Sequence, residues 1–134
     1  MDRPMVDAYY PFIDIAVHEK VRAHYAAGDA LALFSAGMER VLWANGAGAA
    51  LFGFSSVYDF IEQGPDRLSV FFRQFQASAG RLREPGESRS FLMRASSGFR
   101  STTVSASAEV ITLVDGATAL LLSTPAATAG GTLA

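Results

Sequence analysis

The chain has 134 residues, of which half are apolar and none is cysteine; a domain of that length buries about two thirds of its unfolded surface and needs no disulfide or structural metal to fold. With no cysteine and two histidines, a zinc centre, an iron–sulfur cluster, a thiol nucleophile and a cysteinyl–flavin adduct are all disfavoured. The formal net charge is −2, and ten arginines and one lysine are scattered along the chain, which argues against a surface built for nucleic acid.

Residues 1–29 are expected to form a leading helix with an irregular lead-in. Pro11 suits a first helical turn, Asp14 sits near the positive end of the dipole, and Gly28 supplies the stop. Ile13, Ala16, Val17 and Val21 make a narrow apolar stripe, opposed by Glu19, Arg22 and Ala26. Such a stripe packs on its own domain or against another helix; a homodimer seam through Ile13, Ala16, Val17 and Val21 is the expectation.

Ala30 to Phe34 and Val41 to Ala44 are apolar runs of strand character separated by the turn Ser35 to Glu39, so they predict a hairpin. Asn45 to Gly53 then reads as a turn leading into a short helix. Asn45 can bond free backbone groups at that helix start, and Gly53 can end it in a left-handed conformation. Ser55 or Ser56 is placed to cap a further turn through Tyr58, Phe60 and Ile61. The spacing of Leu68, Phe71, Phe72, Phe75, Ala79 and Leu82 predicts a longer helix from about Asp66 to Leu82.

Three strands follow a polar loop. Ser90 to Ala95 alternates, with Phe91, Met93 and Ala95 on one face and Leu92 and Arg94 on the other. Phe99 to Val114 places Val104, Ala106, Ala108 and Val110 on one face, opposite Ser101, Thr103, Ser105 and Ser107. Asp115-Gly116 signals a hairpin turn, Thr118 to Ser123 returns, and residues 126–134 read as a tail or the start of a linker. The order gives an α+β domain: a five-stranded antiparallel sheet covered on one face by helices, with the leading helix outside the body at 30–125.

The segment Val41-Leu-Trp-Ala-Asn45-Gly-Ala-Gly-Ala-Ala-Leu-Phe-Gly53-Phe54 resembles the PAS-domain pattern, and the element order over residues 30–125 follows it. A narrower likeness runs through Tyr10-Pro11-Phe12-Ile13-Asp14-Ile15-Ala16, Gly28-Asp29-Ala30, Val41-Leu-Trp43 and Asn45-Gly46. These stretches resemble the N-terminal sensory region of alphaproteobacterial cell-cycle sensor histidine kinases, homologues of the PleC and DivJ kinases. The resemblance implies a non-catalytic sensory and dimerisation module that passes a ligand- or partner-dependent state to a kinase region. Haem-binding PAS relatives use a histidine between strands two and three, and light-sensing ones a cysteine. Residues 45–90 hold no histidine and the chain no cysteine, so no resident cofactor is expected.

Other candidate chemistry is weak. His18-Glu19 lacks a second histidine at the zincin spacing, where Arg22 stands, and lacks the Arg and Pro of a kinase phosphoacceptor box. His18 and His24 are therefore expected to be solvated helix residues. Asn45-Gly-Ala-Gly48 lacks the third glycine of a dinucleotide fingerprint, since Leu51 stands there. Arg94 and Arg100 could hold an anion, against a default of solvated strand faces. Phe34, Trp43, Phe52, Phe60, Phe72, Phe91, Met93, Val104 and Ala106 are the candidate lining for a small apolar ligand; packing is the plainer role for the rings, but Ala106 and Ala108 leave volume to fill. A small isomerase- or dehydratase-like pocket enzyme is the alternative, and its acids would be Asp59, Glu62 or Glu109, without an evident His or Tyr partner. A purely structural dimerisation domain is the third reading. No run approaches the ~20 apolar residues of a membrane span and no signal-peptide core is evident, so the expected location is the cytoplasm.

Overall fold

The computed structural model describes residue 15 and residues 18–97 and 100–125. In chain order the elements are α1 (Glu19–Ala26), β1 (Ala30–Ser35), β2 (Val41–Ala44), α2 (Gly46–Leu51), α3 (Val57–Gln63), α4 (Val70–Ala79), β3 (Ser88–Ser97), β4 (Arg100–Thr112) and β5 (Thr118–Thr124). The strands form one antiparallel sheet in the order β2-β1-β5-β4-β3. β2 and β3 are its edges, and Ala30 at the start of β1 faces Thr124 at the end of β5.

Both faces of the sheet are covered where β1, β2 and β5 run, which is why β1 is apolar almost without alternation. On the inner face α2, α3 and α4 pack over Ala32, Phe34, Val104, Ala106, Ala108 and Leu122. On the outer face, Ile15 and Val21 pack against Leu31, Leu33, Trp43, Ile111 and Leu121. The long β4 keeps the expected parity, with Val104, Ala106, Ala108 and Val110 all buried inward. β3 does likewise, with Met93 buried inward and Leu92 65% exposed.

Three local signals act as the sequence suggests. Gly28 follows α1 at φ 81° and Gly53 follows α2 at φ 88°, and Phe54 N–H closes onto the Ala49 carbonyl. Of the two serines it is Ser56 that caps α3, accepting from Asp59 N–H at 3.1 Å. Gly116, at φ 89°, closes the β4–β5 hairpin by donating to the Leu113 carbonyl.

Two helices differ from expectation. α4 begins at Val70, four residues later than the apolar spacing predicts, and Leu68 is 82% exposed. Asp66 is the cause: its carboxylate accepts from Leu68 N–H, its carbonyl accepts from the Ser69 hydroxyl, and Ser69 becomes the cap. Local side-chain bonds of this kind compete with helix. Within the described residues α1 begins only at Glu19, because His18 has extended backbone (φ −57°, ψ 136°) and caps it. Of the predicted stripe, Val21 lies on α1; Ile13, Ala16 and Val17 lie outside the described residues.

Candidate functional site

The β2–α2 junction organises the inner face. Asn45 is buried, and its Oδ1 accepts from Gly48 N–H at 2.8 Å and from Leu31 N–H at 3.0 Å, while Nδ2 donates to the Asp29 carbonyl at 2.7 Å. One amide therefore caps α2 and ties it to the start of β1. Asn45→Ala would leave two backbone donors and one acceptor without that partner; at about 1–3 kcal/mol for each unsatisfied group in a dry site, partly relieved by water, the expected loss is about 2–4 kcal/mol in urea unfolding. Gly48 lies directly against β1, where an added Cβ would come 1.9 Å from the Leu31 carbonyl oxygen.

Above this junction the rings close together. Phe34 of β1 is surrounded by Phe52, Phe60, Phe72 and Phe75, the nearest centroid being that of Phe75 at 4.9 Å. Phe52 stacks on Phe60 at 4.9 Å, and Phe91 of β3 stacks on Phe75 at 6.5 Å. Arg67 clamps the α3–α4 connection to the β1–β2 turn: it donates to the Met38 and Glu39 carbonyls at 2.8 and 2.6 Å and lies 5.2 Å from the Phe72 ring centre.

Of the nine candidate pocket residues, the structure brings eight together on this face: Phe34, Phe60, Phe72, Met93, Val104 and Ala106 in the core, with Phe52 and Phe91 packed against it. Trp43 is not among them. It packs on the outer face, with Tyr25 edge-on at 6.2 Å. A bulge is the reason. Leu33 pairs with Trp43 but Phe34 pairs with Val41, so Leu42 is an extra residue and both Leu42 and Trp43 turn outward. Simple alternation from Val41 gives the wrong face.

Thr124 is a buried polar residue that sequence reasoning did not single out. It continues the inward parity of Leu120 and Leu122, and its hydroxyl is buried without a hydrogen-bond partner among the described residues. Nothing in a terminal Ser-Thr pair signals this before the sheet register is known.

The outer face holds α1 in place. His18 Nδ1 accepts from Lys20 N–H at 3.0 Å, and Nε2 lies 2.7 Å from the Thr112 carbonyl. This pattern assigns the ring proton to Nε2, which donates to Thr112. Lys20 reaches Glu109 at 3.3 Å, and His24 pairs with Asp29 at 2.7 Å. The histidines expected to be merely solvated are thus a helix cap and a helix-end contact. Val21, expected in a dimer seam, is wholly buried against this chain's own sheet.

The three candidate acids do not share one site, since Asp59 and Glu62 lie on α3 and Glu109 on β4. Glu109 is engaged by Lys20, and Glu62 accepts from the Tyr58 hydroxyl at 3.4 Å on the open side of α3, where Tyr58 is 70% exposed. Glu87 is held below the usual carboxylate range by the Arg83 and Glu84 backbone N–H groups, with a smaller contribution from the Arg83 charge. Among the described residues no three His, Asp or Glu side chains gather as metal ligands. Two shallow clefts, of about 250 and 350 Å³, lie between the β2 start and α3 and between the α1 start and β4. None of the clustered rings lines either cleft.

A five-stranded antiparallel sheet in this order, with helices between its second and third strands, is an α+β fold of the PAS-like kind. The chain is similar to cell-division control histidine kinases named PdhS. With that of Brucella anthropi it shares 43% identity over 113 residues, covering 84% of this chain and 10% of the relative. With those of Brucella ovis and Brucella suis it shares 39% over 115 residues, covering 86% of this chain and 11% of each relative. The chain thus spans about a tenth of the length of the curated relatives it matches. No family model matches it, and no described helix is long and apolar enough to cross a membrane.

Proposed function

We propose that this chain is the PAS sensory and dimerisation module of a cytoplasmic two-component histidine kinase, which passes a ligand- or partner-dependent state to a kinase region. The identity of 43% to a cell-division control histidine kinase, over 84% of this chain, carries the reading. The fold supports it: the inner face is occupied by packed rings, and the acids an isomerase or dehydratase would need are dispersed. The division into a leading helix at 1–29, a sensory body at 30–125 and a tail at 126–134 belongs to the same proposal.

The ligand of this reading is a small apolar molecule between the sheet and α2–α4, which would bind there by displacing some of the packed rings. The small side chains of Ala106 and Ala108 on that face favour it. The homodimer rests on the segment before His18, since Val21 is committed to the sheet. Val17→Glu should convert a dimer into a monomer in light scattering, and an unchanged mass would remove that segment from the interface.

A native mass spectrum of the purified chain, set against its denatured mass, tests the whole reading. A dimer with extra noncovalent mass supports ligand sensing. A bare dimer favours a partner-driven signal, and a bare monomer removes dimerisation from the proposal.

A further inference from the structure

The cations of this chain, though no two are adjacent, are denser in one stretch of the sequence than elsewhere. Seven of the eleven Lys and Arg residues fall between residues 67 and 100, where the only acids are Glu84 and Glu87. Five of the seven lie on α4, the following loop and β3, the long edge of the sheet; Arg67 precedes α4 and Arg100 opens β4. Arg73 and Arg81 lie on the α4 side and Arg89 and Arg94 on the strand, all four exposed. Among the described residues no carboxylate pairs with any of the four. Arg89 and Arg94 stand about 17 Å apart along the strand, and α4 runs beside it, since Gln74 Oε1 accepts from Arg94 N–H at 2.8 Å and Phe75 stacks on Phe91.

The backbone of β3 sets which groups face outward. Val110 N–H donates to the Glu87 carbonyl, and Arg94 N–H points away from β4 to Gln74. By antiparallel alternation the odd residues bond β4, so Ser88, Ser90 and Leu92 direct their N–H and C=O groups outward. Leu92, at 65% exposure, adds an apolar side chain beside Arg94 on the outer face, while Arg89 shares the face of Phe91.

We propose that the β3 edge from Ser88 to Leu92 is a docking site for an extended acidic segment of a partner protein, which adds a sixth strand to the sheet. Main-chain pairing supplies the register, Leu92 an apolar contact, and Arg73, Arg81, Arg89 and Arg94 the selection for acidic side chains. Gln74, seated on Arg94 N–H, marks where the added strand stops. The competing role for such an edge is a charged guard against self-association, which predicts no bound peptide.

The probe is an acetylated, amidated octapeptide of alternating Glu and Val, titrated into the 15N-labelled 134-residue chain. Binding is expected to slow hydrogen exchange at the Ser90 and Leu92 amides at least tenfold. The double variant R89E/R94E, its fold checked by thermal melting, should bind at least tenfold more weakly, and the corresponding Lys-Val peptide should not bind. A version of the peptide N-methylated at alternate residues cannot pair along an edge and should lose binding. Four results would overturn the proposal: no binding at millimolar peptide, unchanged exchange at Ser90 and Leu92, equal binding of the N-methylated peptide, or tighter binding of an oligothymidylate of the same charge.

Discussion

Gly48→Ala should destabilise the protein by roughly 3–5 kcal/mol, although alanine is the better helix former by about 1 kcal/mol in an unobstructed helix. The added Cβ would meet the Leu31 carbonyl oxygen at 1.9 Å and its carbon at 2.6 Å. Both are backbone atoms of a central strand, so neither can swing aside like the end of a flexible side chain. Relief requires α2 to lift off β1, and that breaks the Asn45 bonds to Leu31 and Asp29 together. Gly46, two residues earlier on the same helix, has nothing within 4 Å of its would-be Cβ. Gly46→Ala is therefore expected to be neutral or to stabilise by up to about 1 kcal/mol. Urea unfolding of the two variants checks the contrast, and similar midpoints would mean that α2 does not lie against β1 as described.

Trp43→Ala should cost about 3–5 kcal/mol as a large buried deletion, and its effect should be localised. The indole is 1% exposed and sits on the outer face with Leu33, Leu121 and Val21. Its edge-on contact with Tyr25 of α1 adds about 0.5–1.5 kcal/mol beyond area alone. Removing it should loosen α1 first, so amides of Glu19–Ala26 should exchange faster by a larger factor than those of α4. Urea unfolding followed by circular dichroism gives the total, and hydrogen exchange gives the distribution. A variant that unfolds at the wild-type midpoint would place Trp43 at the surface.

Much of this arrangement is legible in the residues because it depends on local chemistry. Asn45 opens a helix, glycines close two, and the inward alternation of Val104, Ala106, Ala108 and Val110 survives intact. What escapes is set by register or by competition between local bonds. The Leu42 bulge moves Trp43 across the sheet, and no alternation pattern contains an extra residue. Asp66 and Ser69 delay α4 by taking its first amides, although the apolar spacing from Leu68 onward looks continuous. α1 starts at Glu19 because the His18 ring serves both the α1 start and the Thr112 carbonyl. The reach of Asn45 back to Leu31 and Asp29, and the burial of the Thr124 hydroxyl, are long-range facts of the folded sheet.

The pairing of Ala30 with Thr124 has a mechanical consequence. The polypeptide enters β1 and leaves β5 at one end of two adjacent antiparallel strands. Tension on the two flanking segments therefore loads the Ala30–Thr124 pair first and peels β1 from β5 one hydrogen bond at a time. Strands loaded from opposite ends would share the force across the whole ladder and resist far more. In any longer polypeptide carrying this fold, a pull that separates the flanks would open the sheet at its centre, beside the Asn45 junction, before it disturbed either edge.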